Sequence, residues 1–124
     1  MGITTYFFDT YSFHEIIDGN PKYASFIVNI GIVTTKLNLM ELYYGLLRRL
    51  GKSAAEKSYD NLVKYTIELD DDTIKQAMEF RMLQKNKKFS YIDCIGYVLA
   101  EKNNIKFLTG DEAFRGLSNV EFVK

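Results

Sequence analysis

The sequence predicts an α/β fold in which helices cover both faces of a parallel sheet. Short runs of β-branched and aromatic residues alternate along the chain with segments whose apolar residues recur at helical spacing. The 124 residues, 47% apolar and 26% charged, suit one globular domain over residues 1–124. Pro21 is the only proline, and no linker rich in serine and glycine divides the chain. Strands that alternate with helices are typical of a single α/β/α sandwich.

The first third of the chain predicts two strands separated by short helices. Residues 3–9 are mostly aromatic and β-branched, as in a buried strand. Residues 12–18 predict a short helix that ends in a turn sequence. A second short helix follows Pro21, which suits a first helical position. The β-branched residues 32–35 predict the second strand.

The middle of the chain predicts two helices and a third strand. Apolar residues over 38–50 fall on one helical face, and Gly51 is a natural stop after them. Another helix is expected over 53–64. The run 65–69, Tyr-Thr-Ile-Glu-Leu, predicts a strand.

The last third predicts two further helices and two strands. The acidic run at 70–72 opens a helix through about residue 85, and we interpret these acids as a helix cap rather than a metal site. Ser90 opens the next helix, to about residue 103. Residues 105–109 and 120–123 predict the remaining strands.

The composition excludes several classes of protein. The 16 Lys and Arg balance the 16 Asp and Glu, which argues against strong nonspecific binding of nucleic acid but leaves local patches open. The single cysteine, Cys94, excludes an internal disulfide and zinc sites built on cysteine pairs, and it suits a reducing cytoplasm. The single histidine, His14, excludes sites that need two. Without a long apolar run or a signal-like start, we expect a cytoplasmic protein that does not span a membrane.

Four acidic residues map to one edge of the expected sheet. Asp9 and Asp111 follow two strands, Asp93 is near the start of the helix after Ser90, and Glu41 is early in the helix that follows strand 32–35. The carboxyl ends of parallel strands share one edge, so the four carboxylates should converge there. Their repulsion would raise pKa values, and a hard divalent cation such as Mg²⁺ or Mn²⁺ removes that cost.

Each acid also has an ordinary structural interpretation. Asp9 and Asp111 suit turns or caps, and Glu41 suits a solvated helix surface. Asp93 completes a capping box with Ser90. The common position of all four favours a shared site over four independent structural roles.

The ordered set of motifs around these acids resembles the PIN domain family of metal-dependent ribonucleases. The motifs are Asp9-Thr10 after an aromatic strand, Glu41 within Met-Glu-Leu-Tyr-Tyr-Gly, Asp93 within Ser-Tyr-Ile-Asp, and Asp111 within Thr-Gly-Asp-Glu-Ala-Phe. The resemblance implies a parallel sheet of about five strands and a catalytic, metal-binding set of Asp9, Glu41, Asp93 and Asp111. It also implies Mg²⁺ or Mn²⁺ as cofactor, RNA as substrate and, for small members, a VapC-type toxin paired with an antitoxin protein.

One position departs from the family pattern. Many members carry Asn or Ser two residues after the first acid, where this chain has Tyr11. Ser12 follows, but in an ordinary turn it is expected to point elsewhere. The motifs therefore do not predict which polar side chain hydrogen-bonds Asp9.

Residues around the acids have candidate supporting roles. Thr10 and Thr109 suit hydrogen bonds to a carboxylate or a water, with local turn bonding as the alternative. Basic residues that flank the acids are candidates to hold RNA phosphates, and the alternative for them is an ordinary solvated surface. These basic candidates are Lys85, Lys87, Lys88, Arg48 and Arg115, with Arg49 and Lys52 near them.

The two middle helices carry more apolar surface than one sheet face requires. The residues concerned are Tyr43, Tyr44, Leu47, Tyr59 and Leu62. They suit the core, a homodimer surface or a groove for a partner peptide.

Other functions remain open or are disfavoured. An RNA-processing PIN nuclease without an antitoxin and an inactive PIN-fold binding module share the predicted fold. A receiver-like signalling domain needs an acidic pair after the first strand, where only Asp9 stands. A phosphatase with an Asp-x-Asp nucleophile is disfavoured because Tyr11 occupies the second position.

Overall fold

The computed structural model describes residues 2–124, and within that range a parallel four-stranded sheet lies between two layers of helices. In chain order the elements are β1 (Thr4–Phe8), α1 (Thr10–Ile17), β2 (Ile30–Val33), α2 (Lys36–Arg49), α3 (Lys52–Leu62), α4 (Asp71–Leu83), α5 (Tyr91–Lys102), β3 (Lys106–Thr109) and β4 (Val120–Phe122). Short 3₁₀ turns occupy Pro21–Phe26, Val63–Tyr65 and Glu112–Phe114. The predicted α/β/α class is confirmed.

The strand order β2-β1-β3-β4 places a topological switch point between the two central strands. From β1 the chain crosses to β2 on one side, and from β3 it crosses to β4 on the other. Phe8 pairs with Leu108 near the ends of the two central strands. Crevices at such a switch point, beyond the carboxyl ends of the strands, are where α/β sheets place their sites.

Successive residues of the central strands pack into opposite helical layers. Phe7 and Phe107 face α5 and α4, with their rings stacked 5.7 Å apart. Phe8 and Leu108 face α1, α2 and α3. This period-two alternation buries both faces of the sheet and explains why the strands read as nearly continuous apolar runs.

The predicted strand over 65–69 was wrong. The chain there forms a 3₁₀ turn at Val63–Tyr65 and then a single parallel bridge between Thr34 and Thr66. This bridge consists of two backbone hydrogen bonds, from the Thr34 amide to the Tyr65 carbonyl at 3.1 Å and from the Ile67 amide to the Thr34 carbonyl at 3.0 Å, and within residues 2–124 no further pairing extends it into a strand. Ile67 and Leu69 instead pack against the core under α4 and α5. The apolar side chains of Ile67 and Leu69 are half-buried in this packing, and the sheet has four strands within residues 2–124 rather than five.

The other predicted elements are confirmed, with ends displaced by one or two residues. The acids at 70–72 cap α4, because the Asp70 carboxylate accepts the Thr73 amide at 2.8 Å. Cys94 is a buried core residue of α5. Within residues 2–124, none of the helices has the length and apolar character to cross a bilayer.

Gly96 on α5 lies directly against the aromatic side chains of the two central strands. A Cβ there would lie 2.7 Å from Phe7 Cε1 and 3.0 Å from Phe107 Cε1. We expect overpacking in Gly96→Ala to lower the free energy of unfolding by about 1–3 kcal/mol. The higher helix propensity of alanine offsets up to about 1 kcal/mol of this loss. Glu101→Ala, exposed on the same helix, should change it by less than about 0.5 kcal/mol. Urea unfolding of both variants measures this, and an unchanged Gly96→Ala midpoint contradicts the packing described.

Candidate active site

Asp9 is buried at the junction of β1 and α1, with only 3% of its surface exposed. Its carboxylate caps α1: Oδ1 accepts the backbone amide of Ser12 and the Ser12 hydroxyl, both at 2.8 Å. The expectation that Ser12 points elsewhere was therefore wrong. Because Asp9 is the N-cap, the third residue of the helix folds back onto it, as in any side-chain capped helix start. Ser12, rather than residue 11, supplies the polar support.

The Ser12 hydroxyl also joins Asp9 to the neighbouring strand. Its oxygen lies 2.7 Å from the Leu108 carbonyl as well as 2.8 Å from Asp9 Oδ1. A hydroxyl carries one hydrogen and donates it to one acceptor at a time. Ser12 therefore fixes the Asp9 side chain between the ends of β1 and β3 while sharing a single proton between two acceptors.

Burial raises the pKa of Asp9 to about 7. Hydrogen bonds from Thr109 and Ser12 act in the opposite direction, and the negative charge of Asp93 raises the pKa further. A carboxylate with this environment is easily neutralised by a proton or compensated by a cation.

Glu41 is held by a hydrogen-bonded network at the start of α2. Thr10 Oγ1 donates to Glu41 Oε1 at 2.7 Å, and Asn38 Nδ2 donates to Thr10 Oγ1 at 3.2 Å. Thr35, the N-cap of α2, donates to Asn38 Oδ1 at 2.7 Å. Thr10 therefore hydrogen-bonds a carboxylate, one of the two interactions expected for it, rather than making a local turn bond.

Sequence reasoning missed Asn38, which is almost fully buried. One signal could have found it: Asn38 precedes Glu41 by three residues, so the two share a face of α2. A buried amide needs partners for its donors and its acceptor, and Thr10 and Thr35 supply them.

Asp93 caps a helix, and its negative charge also acts on other acids of the site. With Ser90 it forms a complete capping box, in which Asp93 Oδ2 accepts the Ser90 amide at 2.9 Å. Burial raises the pKa of Asp93, and the charge of Asp111 raises it further against the Ser90 hydrogen bonds. Burial likewise raises the pKa of Glu41, with the Thr10 hydrogen bond opposing and the charge of Asp93 adding to the shift. The charge of Asp93 thus acts on two of the other three acids, Asp9 and Glu41.

Asp111 also has a local structural role. Its Oδ1 accepts the Ala113 amide at 3.0 Å and so caps the 3₁₀ turn after β3. Thr109 Oγ1 accepts the Asp111 amide at 3.1 Å. Thr109 therefore makes the local turn bond that was its alternative, and its side chain also acts to lower the pKa of Asp9.

The carboxylate oxygens at the acidic edge of the sheet are ligands that suit a hard cation. Within residues 2–124, neither lysine nor arginine forms an ion pair with Asp9, Glu41, Asp93 or Asp111. In the same range, however, no three His, Cys, Asp or Glu side chains are arranged to enclose an ion by themselves. Mg²⁺ usually takes one or two protein carboxylates, keeps several waters and fills the rest with substrate phosphate oxygens. The acids therefore fit an open, partly hydrated ion better than a closed cage.

The basic candidates differ in how far they are already engaged. Arg115 makes a bidentate ion pair with the Glu112 carboxylate, with N–O distances of 2.7 and 2.9 Å, and its guanidinium lies over the Phe122 ring. Arg49 pairs with Asp18 at 3.1 Å, and Arg48 lies over the Tyr44 ring.

The lysines before Ser90 lie on the exposed loop between α4 and α5. Lys87 donates to the Ala113 carbonyl at 3.2 Å, which brings this loop next to the 3₁₀ turn that Asp111 caps. Lys85 and Lys88 are exposed.

The apolar residues of α2 and α3 divide into two groups. Tyr43, Tyr59 and Leu62 pack against the core, with the two tyrosine rings edge to face at 6.0 Å. Tyr44 is 63% exposed and Leu47 is 38% exposed. The core interpretation therefore holds for the first group and not for the second.

Asp111→Asn separates a metal site from unrelated surface acids. Asparagine keeps the acceptor for the Ala113 amide while removing a charge that acts on Asp93. Without metal, we expect the variant to melt at or above the wild-type temperature. Mn²⁺ at 100 times its Kd should stabilise the wild type by roughly 2.7 kcal/mol and the variant less. Parallel melts in EDTA and in Mn²⁺ decide this, and equal stabilisation of both proteins would assign Asp111 to the turn alone.

Comparison with known proteins gives both a family and structural neighbours. The family model of the PIN domain matches residues 6–120. No curated protein sequence matches the chain significantly. Among solved structures, VapC20 of Mycobacterium tuberculosis, a Sarcin-Ricin loop cleaving toxin, is 19% identical with a TM-score of 0.79, over 98% of this chain and 100% of that one.

Two further neighbours are toxin–antitoxin assemblies. A toxin–antitoxin complex from Klebsiella pneumoniae is 15% identical with a TM-score of 0.74, over 94% of this chain and 95% of that one. DNA-bound VapBC from Salmonella typhimurium is 16% identical with a TM-score of 0.74, over 97% of each chain. At such identities the likeness establishes the fold.

Proposed function

Because the chain belongs to the PIN domain family, we propose that it is a metal-dependent endoribonuclease that hydrolyses RNA phosphodiester bonds. The observation that carries the proposal is Asp9, a buried carboxylate at the switch point of the sheet. Its pKa is raised to about 7 by burial and by the nearby charge of Asp93. A buried carboxylate with a strongly raised pKa is typical of sites where a bound cation or a reacting group interacts with its charge.

The four acids would share the work of holding the ion. The charge of Asp93 acts on both Asp9 and Glu41, and the charge of Asp111 acts on Asp93, so the four carboxylates are electrostatically coupled in this order. A bound Mg²⁺ or Mn²⁺ would supply an activated water and compensate the charge that builds up on the phosphate. Ser12 and Thr10 orient the carboxylates of Asp9 and Glu41 so that their oxygens are preorganised for the ion.

RNA phosphates outside the reacting one need positive charge, because the site itself is acidic. The exposed lysines Lys85, Lys87 and Lys88 lie on the loop next to the Asp111 turn and suit this role. Arg48 is a second candidate, further along α2 from Glu41. Arg115 is a weaker one, because its guanidinium already serves Glu112.

We further propose that the chain is the toxin of a toxin–antitoxin pair. Support comes from two neighbours of the same fold, one described as a toxin–antitoxin complex and the other as a member of the VapBC family of toxin–antitoxin systems. An antitoxin would need apolar surface to bind, and α2 presents Met40, Tyr44 and Leu47 to solvent. The same exposed residues suit the homodimer expected from the sequence, so partner binding and self-association are separate tests.

The proposed activity is tested by incubating the purified protein with ribosomal RNA and with a single-stranded RNA. We expect cleavage in Mg²⁺ or Mn²⁺ and none in EDTA, with activity restored when metal is added back. Cleavage that continues unchanged in EDTA would refute the metal-dependent mechanism. Metal binding without cleavage of any RNA would instead select the inactive binding module.

A further inference from the structure

Tyr11 occupies the second position of α1, and its ring lies directly on the backbone of Gly110. A Cβ at residue 110 would lie 2.9 Å from Tyr11 Cζ, the ring atom that carries the hydroxyl, and would also overlap the Val123 carbonyl. Gly110 stands between Thr109 and Asp111, at the end of β3. The packing therefore holds the phenol at the acidic edge of the sheet.

The phenol hydroxyl takes no part in the hydrogen bonds that orient the acids. Burial raises the pKa of Tyr11, and the negative charges of Glu15, Asp9 and Asp111 raise it further. Within residues 2–124, its hydroxyl takes part in none of the side-chain hydrogen bonds, and no buried side-chain polar atom in that range is left without a partner. Since the hydroxyl has no protein partner and is not a fully buried unpaired atom, it keeps some contact with solvent although the ring is half-buried.

Three other tyrosine hydroxyls already have partners within the protein. Tyr23 donates to the Val123 carbonyl at 2.6 Å, and Tyr97 donates to the Ser118 carbonyl at 2.6 Å. Tyr43 donates to Glu56 at 3.1 Å. Tyr11 is different, because it combines a fixed ring, a free hydroxyl and a position beside the proposed metal-binding carboxylates.

We propose that Tyr11 is a substrate-binding residue whose hydroxyl donates a hydrogen bond to a nonbridging phosphate oxygen of the RNA at the acidic site; this rests on the proposed ribonuclease function. A donor is needed there, because carboxylates only accept hydrogen bonds and repel the phosphate. A neutral phenol provides the donor without competing with the cation, as a lysine or arginine would. The close contact with Gly110 supplies the preorganisation that makes such a bond effective.

The test compares Tyr11→Phe with the wild type on a fluorescently labelled RNA hairpin in Mn²⁺. Phenylalanine keeps the ring on Gly110 and removes only the hydroxyl. We expect kcat/KM to fall about tenfold or more, as for a lost hydrogen bond to a charged group. The Mn²⁺ concentration for half-maximal activity and the melting temperature should stay unchanged. Tyr65→Phe, a half-buried tyrosine far along the chain from the acids, is the matched control and should retain wild-type kcat/KM.

The outcomes distinguish this proposal from the function on which it rests. If the wild type cleaves the RNA and Tyr11→Phe cleaves it equally well, the substrate contact is overturned and the nuclease stands. If the Mn²⁺ requirement rises in step with the loss of activity, Tyr11 acts through the metal ligands, which also overturns it. Full activity in Tyr11→Phe with loss in Tyr11→Leu would assign the residue to packing. A wild type that cleaves no RNA overturns both proposals.

Discussion

Asp9→Asn and Asp93→Asn are each expected to lower RNA turnover by about three orders of magnitude. Metal-stabilised charge in the transition state contributes several kcal/mol, and each 1.36 kcal/mol is a factor of ten in rate. Asparagine keeps an oxygen that can accept the Ser12 or Ser90 amide, so both helix starts remain capped. Initial rates in Mn²⁺ at saturating RNA measure the effect.

Asp71→Asn is the matched control for these variants. Asp71 is an exposed acid in the first turn of α4. Its neighbours Asp70 and Asp72 pair with Lys102, at the opposite end of α5 from Asp93. Asp71→Asn should retain wild-type turnover. Circular dichroism melts establish that all three variants are folded, so that a loss of rate reports on chemistry. Turnover in Asp9→Asn within a few fold of wild type would mean that the site lies elsewhere.

Ser12→Ala is expected to lower metal affinity or activity by about 10–100-fold, the range for residues that orient metal ligands. The change removes the hydroxyl that fixes Asp9 Oδ1 and leaves the backbone bond from the Ser12 amide in place. It also removes the link to the Leu108 carbonyl, so the ends of β1 and β3 lose a connection. Half-saturation by Mn²⁺ in the cleavage assay measures the effect.

Ser53→Ala makes the same chemical change at an exposed position of α3 and should leave the Mn²⁺ dependence unaltered. If Ser12→Ala has the same Mn²⁺ dependence and rate as Ser53→Ala, the Ser12 hydroxyl serves only the fold. The Asp9 side chain would then be oriented sufficiently by its burial and its backbone hydrogen bond.

Local pattern was enough to predict most of the fold, because the sheet is buried on both faces. Each central strand reads as an apolar run that ends in a polar residue, and the ends of β1 and β3 could be placed at one edge from their parallel direction alone. The segment 65–69 has the same composition without being a strand. An apolar pattern indicates that side chains pack against the core. It does not distinguish a hydrogen-bonded strand from an irregular segment that packs its side chains next to the sheet.

The acids of the candidate site could be predicted from the sequence, but the hydrogen bonds that orient them could not. The contacts that orient Asp9 and Glu41 run between elements: Ser12 reaches across to β3, and Thr10 on α1 reaches Glu41 and Asn38 on α2. Such contacts depend on how two helices pack on the sheet, which spacing along one helix does not reveal. The capping roles of Asp93 and Asp111 are local, and they could be foreseen from neighbouring residues.

The most direct test of the account is anomalous diffraction from crystals of the protein grown with Mn²⁺. The account predicts a manganese peak at the carboxyl ends of β1 and β3, bonded to oxygens of Asp9 and Asp93, and its loss in Asp9→Asn. A peak at another place on the chain, or one at the same place that Asp9→Asn leaves unchanged, would contradict the assignment of these acids as the metal site.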